Sequence, residues 1–225
     1  MKRSEINRII REGLAFCRQM NFHLPPFATW TPQDWQTKGK EFDEIRDNML
    51  GWDVTDFGLG NFAQKGLLVF TIRNGNAQLD KYQKPYAEKL LIIREAQITP
   101  YHFHFSKMED IINRGGGDLM IQVYNSTERE ELADTTVEVS VDGRRFAVEP
   151  GTVVRLVPGE SISLPTHMYH QFWAAGDTVL CGEVSAVNDD NVDNRFLEEA
   201  GRFPEIEEDE PASFLLCTEY PPTSS

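Results

Sequence analysis

Cysteine is scarce in this 225-residue chain, and positive charge is outweighed. Cys17, Cys181 and Cys217 are odd in number and show no CxxC spacing. That excludes a disulfide framework and fits the reduced thiols of a cytoplasmic protein. The 22 Lys and Arg face 36 Asp and Glu, for a net charge of -14. Nucleic-acid phosphates require a basic footprint, so nucleic acid is not an expected partner. The same balance disfavours phosphorylated substrates, unless distant Arg and Lys residues assemble locally around a phosphate. No apolar run approaches the length of a membrane span. Arg8, Arg11, Glu12 and Arg18 interrupt the first twenty residues where a signal peptide would be continuously apolar. No internal repeat and no long linker divides the sequence. The expectation is a cytoplasmic protein without a membrane partner. It is read as one domain over residues 1–225, in which residues 1–65 form a helical or irregular extension packed on a β-barrel.

The extension begins with a helical stripe. Ile6, Ile9, Ile10, Leu14, Cys17 and Met20 recur at helical spacing within 4–20, with Arg8, Arg11 and Glu12 off the stripe. Thr31 followed by Pro32 predicts the start of a short helix. From Gly66 onward the pattern turns to short strands. These are expected over 67–72, 89–94, 98–105, 119–124, 136–141, 144–148, 151–157, 161–164, 170–173 and 178–187. Asn74-Gly75 and Asp142-Gly143 are hairpin signals. Many short strands with turns between them predict an antiparallel barrel or double sheet, mainly β in class. A helix is expected over 193–200. Gly115-Gly116-Gly117 is followed by no Lys-Ser/Thr, so it is not a phosphate loop, and it reads as a tight turn.

Histidine is also rare, and its placement is informative. Four of the five histidines fall at His102, His104, His167 and His170. In a strand, residues two apart share a face, so His102 and His104 converge while Tyr101, Phe103 and Phe105 point away. With Glu109 close by and His170 on a later strand, the set reads as a metal site. Neutral imidazole and carboxylate suit Mn²⁺, Fe²⁺, Ni²⁺ and Zn²⁺ alike.

Written out, the spacing resembles the two cupin motifs. His102, His104, Glu109 and Gly116 match the first, HxHxxxxExxxxxxG, although Ala96 stands where a Gly usually precedes it. Gly159, Pro165 and His170 match the second, with His167 in place of its internal Gly and Ala174 in place of its Asn. The stretch from Lys107 to Gly117, with Glu183-Val184-Ser185 and the segment from Asn188 to Phe196, resembles the cupin-type D-lyxose isomerases. The likeness runs from the N-terminal helix to about Pro204. It implies a cupin jelly-roll barrel and a Mn²⁺-dependent homodimer. It further implies interconversion of D-lyxose with D-xylulose, and of D-mannose with D-fructose, as free monosaccharides.

Such an isomerisation needs a base at the sugar carbon as well as a metal. Glu183 is the first candidate, because it interrupts a strand that otherwise reads as buried, and burial raises a carboxylate's affinity for a proton. The alternative is a solvent-facing or Arg-paired strand residue. Glu109 is a catalytic candidate too, able to double as ligand and proton carrier, although a metal-bound carboxylate is a weakened base. Lys89 and Lys107 are candidates to donate to sugar oxygens. His167, Asp189 and Asp190 are candidates to bind sugar hydroxyls, or to fill a turn and cap a helix. The same ligand set also fits an Fe²⁺ dioxygenase, a sugar-phosphate isomerase or a non-catalytic sensor.

Overall fold

The structure is a computed structural model that describes residues 1–201 and 203–222. The N-terminal segment holds three helices, α1 (Arg3–Gln19), α2 (Pro32–Trp35) and α3 (Asp43–Asp47). Among the described residues eleven strands follow: β1 (Gly51–Thr55), β2 (Leu67–Arg73), β3 (Tyr86–Ile93), β4 (Ile98–His104), β5 (Glu109–Asn125), β6 (Val137–Val141), β7 (Arg144–Val148), β8 (Val153–Leu156), β9 (Ser161–Leu164), β10 (Met168–Ala186) and β11 (Asn194–Phe196). All the strand pairings are antiparallel. The fold is mainly β and of the cupin type.

Two long strands organise the barrel. β10 pairs with β5 along nearly its whole length. On its other side its first half pairs with β4 and its second half with β3. β5 likewise turns from β8 to β9. A register shift between Ala175 and Val179 marks where the pair bends. The glycine run lies on this bend. It is not a tight turn: Gly115 and Gly116 continue β5 with positive φ, and a Cβ on Gly116 would collide with the Thr178 carbonyl oxygen. Gly116→Ala is therefore expected to cost about 2 kcal/mol or more, seen as a lower urea midpoint at unchanged slope.

The sheet is buried on both faces around β2 and β3, which explains their unbroken apolar runs. Val69, Leu91 and Cys181 face the barrel interior with Ile111, Ile121 and Leu156. Leu68, Phe70, Leu90, Ile92 and Leu180 face outward against Ile6, Ile9, Ile10 and Leu14 of α1. The amphipathic stripe of α1 thus closes a second core. The short helix at Pro32 starts with a capping box between Thr31 and Asp34.

Several elements differ from expectation. β1 lies inside the segment read as helical or irregular. Asn74-Gly75 does not make a two-residue hairpin: the connection from β2 to β3 is long, and Asn74 instead hydrogen-bonds the Asn188 carbonyl. Asp142-Gly143 does turn tightly, both residues having positive φ. The helix expected over 193–200 is absent; β11 forms there because its edge pairs with β4, a tertiary gain that outweighs local propensity. The acidic C-terminal segment returns to α1, where Arg3 is 2% exposed and paired with both Glu208 and Glu219. Asp209 and Glu210 accept from Ser4 and Asn7. Much of the acid there is thus used in contacts with the N-terminal helix. Among the described residues no helix is long and apolar enough to cross a membrane.

Candidate metal centre and active site

His102, His104, Glu109 and His170 come together at the barrel interior, their ligand atoms within 4.8 Å of one another, and all four are buried. Each is delivered by a strand register. His102 stands opposite His170 across β4 and β10, and Glu109 opposite Ser185 where β5 begins. The Nδ1–H groups of His102 and His170 donate to the carbonyls of Pro100 and Met168, at 2.8 and 3.0 Å. A carbonyl only accepts, so these bonds fix the tautomer and leave Nε2 as a lone pair pointing inward.

The electrostatics suit a cation. Burial, with His170 and His104 as neighbours, holds His102 well below the usual imidazole range, so it is neutral near pH 7. His104 is lowered too, by burial and then by Lys107. For Glu109 burial pushes upward, but Lys107 and His104 outweigh it and hold the carboxyl well below its usual range. Glu109 Oε1 lies 3.2 Å from His170 Nε2 and Oε2 lies 3.3 Å from His104 Nε2. His170 Nε2 and His104 Nδ1 are buried without a hydrogen-bond partner among the described residues. Three clustered imidazoles, one carboxylate held ionised and an orphaned inward nitrogen fit a divalent ion.

Beside this cluster lies a row of ionic groups across the inner face. Lys89 on β3 is directly opposite Glu183 on β10. Lys107, on the connection from β4 to β5, places Nζ 2.7 Å from Glu109 Oε2 and 2.8 Å from Glu183 Oε1. Lys89 Nζ is 3.5 Å from the same Glu183 oxygen and 3.6 Å from Asp190 Oδ1, and it donates to Asn188 Oδ1 at 2.7 Å. Burial alone would lower Lys107, but Glu109, Glu183 and Asp190 raise it, so it remains an ammonium. Glu183 is thus buried at 4% exposure, yet it is not an isolated carboxylate: Lys107 bridges it to Glu109.

The cavity over the metal cluster is lined by Lys89, Lys107, Glu109, Glu183 and Asp190 among others. His167 and Asp189 do not line it. His167 is exposed, sits at φ 61 in the turn before β10, and rests against Phe103 and Phe105 on the far side of β4. Asp189 accepts from the Asn191 backbone and shapes its own loop. Asp190 caps no helix, since none follows it among the described residues. Both glycine departures of the cupin motifs keep the backbone that glycine favours: Ala96 has φ 56 and His167 φ 61.

The structure adds residues that were not expected at the site. Phe196 of β11 packs on His102, with ring centroids 5.6 Å apart. Thr99 faces the cavity because the register of β4 against β10 slips between Thr99 and His102, an extra residue that includes Pro100. Its hydroxyl is buried without a partner among the described residues. The Pro in the strand is the one sequence signal that pointed to this slip.

The fold and site define an enzyme of the cupin class whose buried His₃Glu cluster could hold a metal ion. The comparison with known families narrows it: the D-lyxose isomerase family matches residues 1–220, and the chain belongs to that family. It is 51% identical to a D-lyxose/D-mannose isomerase of Escherichia coli O157:H7 over 98% of both chains. It is 50% identical to the D-lyxose/D-mannose isomerase of Serratia proteamaculans over 98% of both chains. In fold it resembles the L-ribose isomerase of Cellulomonas parahominis (TM-score 0.60, 15% identity, 92% of this chain and 98% of that one). The family match continues through the acidic C-terminal segment, beyond the point at which the sequence resemblance was expected to end.

Proposed function

We propose that the chain is an aldose–ketose isomerase, a D-lyxose ketol-isomerase that also acts on D-mannose, and that it uses Mn²⁺ held by His102, His104, Glu109 and His170. The observation that carries this reading is the buried Lys107 ammonium, which joins the ligand Glu109 to the non-ligand Glu183 at 2.7 and 2.8 Å. The nearness of the Glu183 carboxylate to the His₃Glu cluster supports a proton-accepting role for it. When bound, the divalent ion supplies Lewis-acid stabilisation of negative charge on the sugar oxygens.

The protein's own groups supply the rest. Glu183 takes the proton from C2 of the aldose and returns it to C1 on the same face of a cis-enediol. Lys107 and Lys89 both contact Oε1 of Glu183, which orients the carboxylate and leaves Oε2 outside those contacts. Their ammonium protons also stand ready for the sugar oxygens between which the second proton moves. Glu109, already held ionised and shared among two imidazoles and Lys107, serves as ligand rather than base. Asp190 and the Thr99 hydroxyl are placed to receive sugar hydroxyls, and Phe196 and Phe172 wall the cavity against water.

Free sugars fit this site better than phosphorylated ones. Both lysines are already committed to carboxylates. The polar opening next to the cavity is lined by Asp47, Asp53, Asp189, Asp190 and Asp193, which would repel a phosphate. The homodimer belongs to the same proposal, and the exposed Tyr86 and Val184 on the outer face of β3 and β10 offer apolar surface for it. The test is a substrate panel with Mn²⁺ present. D-lyxose and D-mannose should yield their ketoses, and D-fructose 6-phosphate should yield no aldose. Turnover confined to the phosphate ester would overturn the reading.

A further inference from the structure

We propose that Asp193 is a positioning residue for the metal centre, setting the His104 imidazole and the Lys107 ammonium from the opposite side of the connection that carries them.

Residues 105–108 form the short link between the ligands His104 and Glu109, and the first three of them, Phe105, Ser106 and Lys107, are anchored on Asp193. The Asp193 carbonyl accepts from the Phe105 backbone at 3.3 Å. Asp193 Oδ1 accepts from the Ser106 backbone at 2.8 Å and from its hydroxyl at 2.6 Å, and Oδ2 accepts from the Lys107 backbone at 3.1 Å. The carboxylate is 6% exposed, so these bonds are formed away from bulk water. A loop that would otherwise be free to shift is thereby fixed just where it places Lys107 between Glu109 and Glu183.

A second, independent observation concerns the imidazoles. His102 and His170 are each pinned through Nδ1 by a backbone carbonyl, two residues earlier in the chain. His104 has no such carbonyl. Its Nδ1 is buried and without a hydrogen-bond partner among the described residues, and the carboxylate facing it is Asp193, with Oδ2 at 4.0 Å. A ligating histidine generally needs an acceptor at its other nitrogen to fix tautomer and ring orientation. Asp193 is the group in place to serve as that acceptor, for the one ligand that the strand backbone leaves unsupported.

Asp193 reaches this position through the loop that also serves the other lysine. Its backbone N–H bonds the Asp189 carbonyl at 3.0 Å, and the same loop presents Asn188 and Asp190 to Lys89. The segment 188–193 therefore sets both ammonium groups of the site.

The inference rests on the metal reading of the cluster, and the experiment separates the two. Mn²⁺ affinity is measured by titration calorimetry on wild type, Asp193→Asn and Ser106→Ala, alongside urea unfolding of the metal-free proteins. Asp193→Asn presents an amide N–H₂ to the donors that faced a carboxylate, and its Mn²⁺ affinity should fall about 10- to 100-fold. Ser106→Ala removes one donor and keeps the carboxylate, so its affinity should stay within about twofold of wild type by the same reasoning. Wild-type affinity in Asp193→Asn, with or without lower stability of the metal-free protein, overturns the proposal. Absence of Mn²⁺ binding in wild type overturns the metal reading beneath it. If Asp193→Asn does not fold, the test moves to the wild-type protein loaded with diamagnetic Zn²⁺. There, a His104 Nδ1 proton protected from solvent exchange in the NMR spectrum is expected, and its absence overturns the proposal.

Discussion

Glu183→Gln should keep its metal and lose its isomerase activity. The amide is nearly isosteric and still offers an oxygen to Lys107, so the ion pair between Lys107 and Glu109 persists and the ligand set is untouched. What disappears is the non-ligand carboxylate paired with the Lys107 ammonium, and an amide accepts no proton from C2. Loss of a positioned base costs about 10² to 10⁴ in rate, equivalent to roughly 3 to 5 kcal/mol of transition-state stabilisation. The decline should appear in kcat, with KM for D-lyxose little changed, because the sugar is held mainly by other groups. Metal content by mass spectrometry and steady-state kinetics on one preparation check both halves. Full turnover by a fully loaded Glu183→Gln protein would remove Glu183 as the base.

His102→Ala should lose both metal and activity. The other three ligands remain, but the set then lacks a neutral imidazole that the strand had fixed with its lone pair inward. Since loss of a supporting group around a metal already costs about 10- to 100-fold in affinity, loss of a ligand should cost more. The variant should show no bound Mn²⁺ at stoichiometric concentrations and no measurable ketose. Undiminished occupancy would remove His102 from the ligand list. The pair of variants is diagnostic together, one separating metal from chemistry and the other abolishing both.

The clustering of His102, His104, Glu109 and His170 was legible in the sequence because it depends on local rules. His102 and His104 share a face through strand alternation, and the spacings to Glu109 and His170 follow from the two motifs. The amphipathic stripe of α1 and the Asp142-Gly143 hairpin were legible for the same reason. Lys89, Lys107, Glu183 and Asp190 are brought to one cavity, but their mutual contacts come from registers between distant strands, which no local pattern encodes. His167 was misleading: its position in a motif suggested the site, while its backbone needs a left-handed turn that sends the ring to the far side of β4. Asp193 was hidden for the opposite reason. Its neighbourhood reads as the start of a helix, and only the pairing of β11 with β4 brings its carboxylate under His104 and Lys107. Thr99 was turned inward by a strand slip that alternation alone cannot show.

The proposed activity joins two parts, isomerisation of a free aldose and a His₃Glu cluster required for it. The direct measurement is D-xylulose formation from D-lyxose by metal-stripped protein as Mn²⁺ is added back. The expected result is no ketose without metal and activity that rises to a plateau near one Mn²⁺ per chain. Steady ketose formation by the stripped protein, or none from protein with its site filled, would contradict the account.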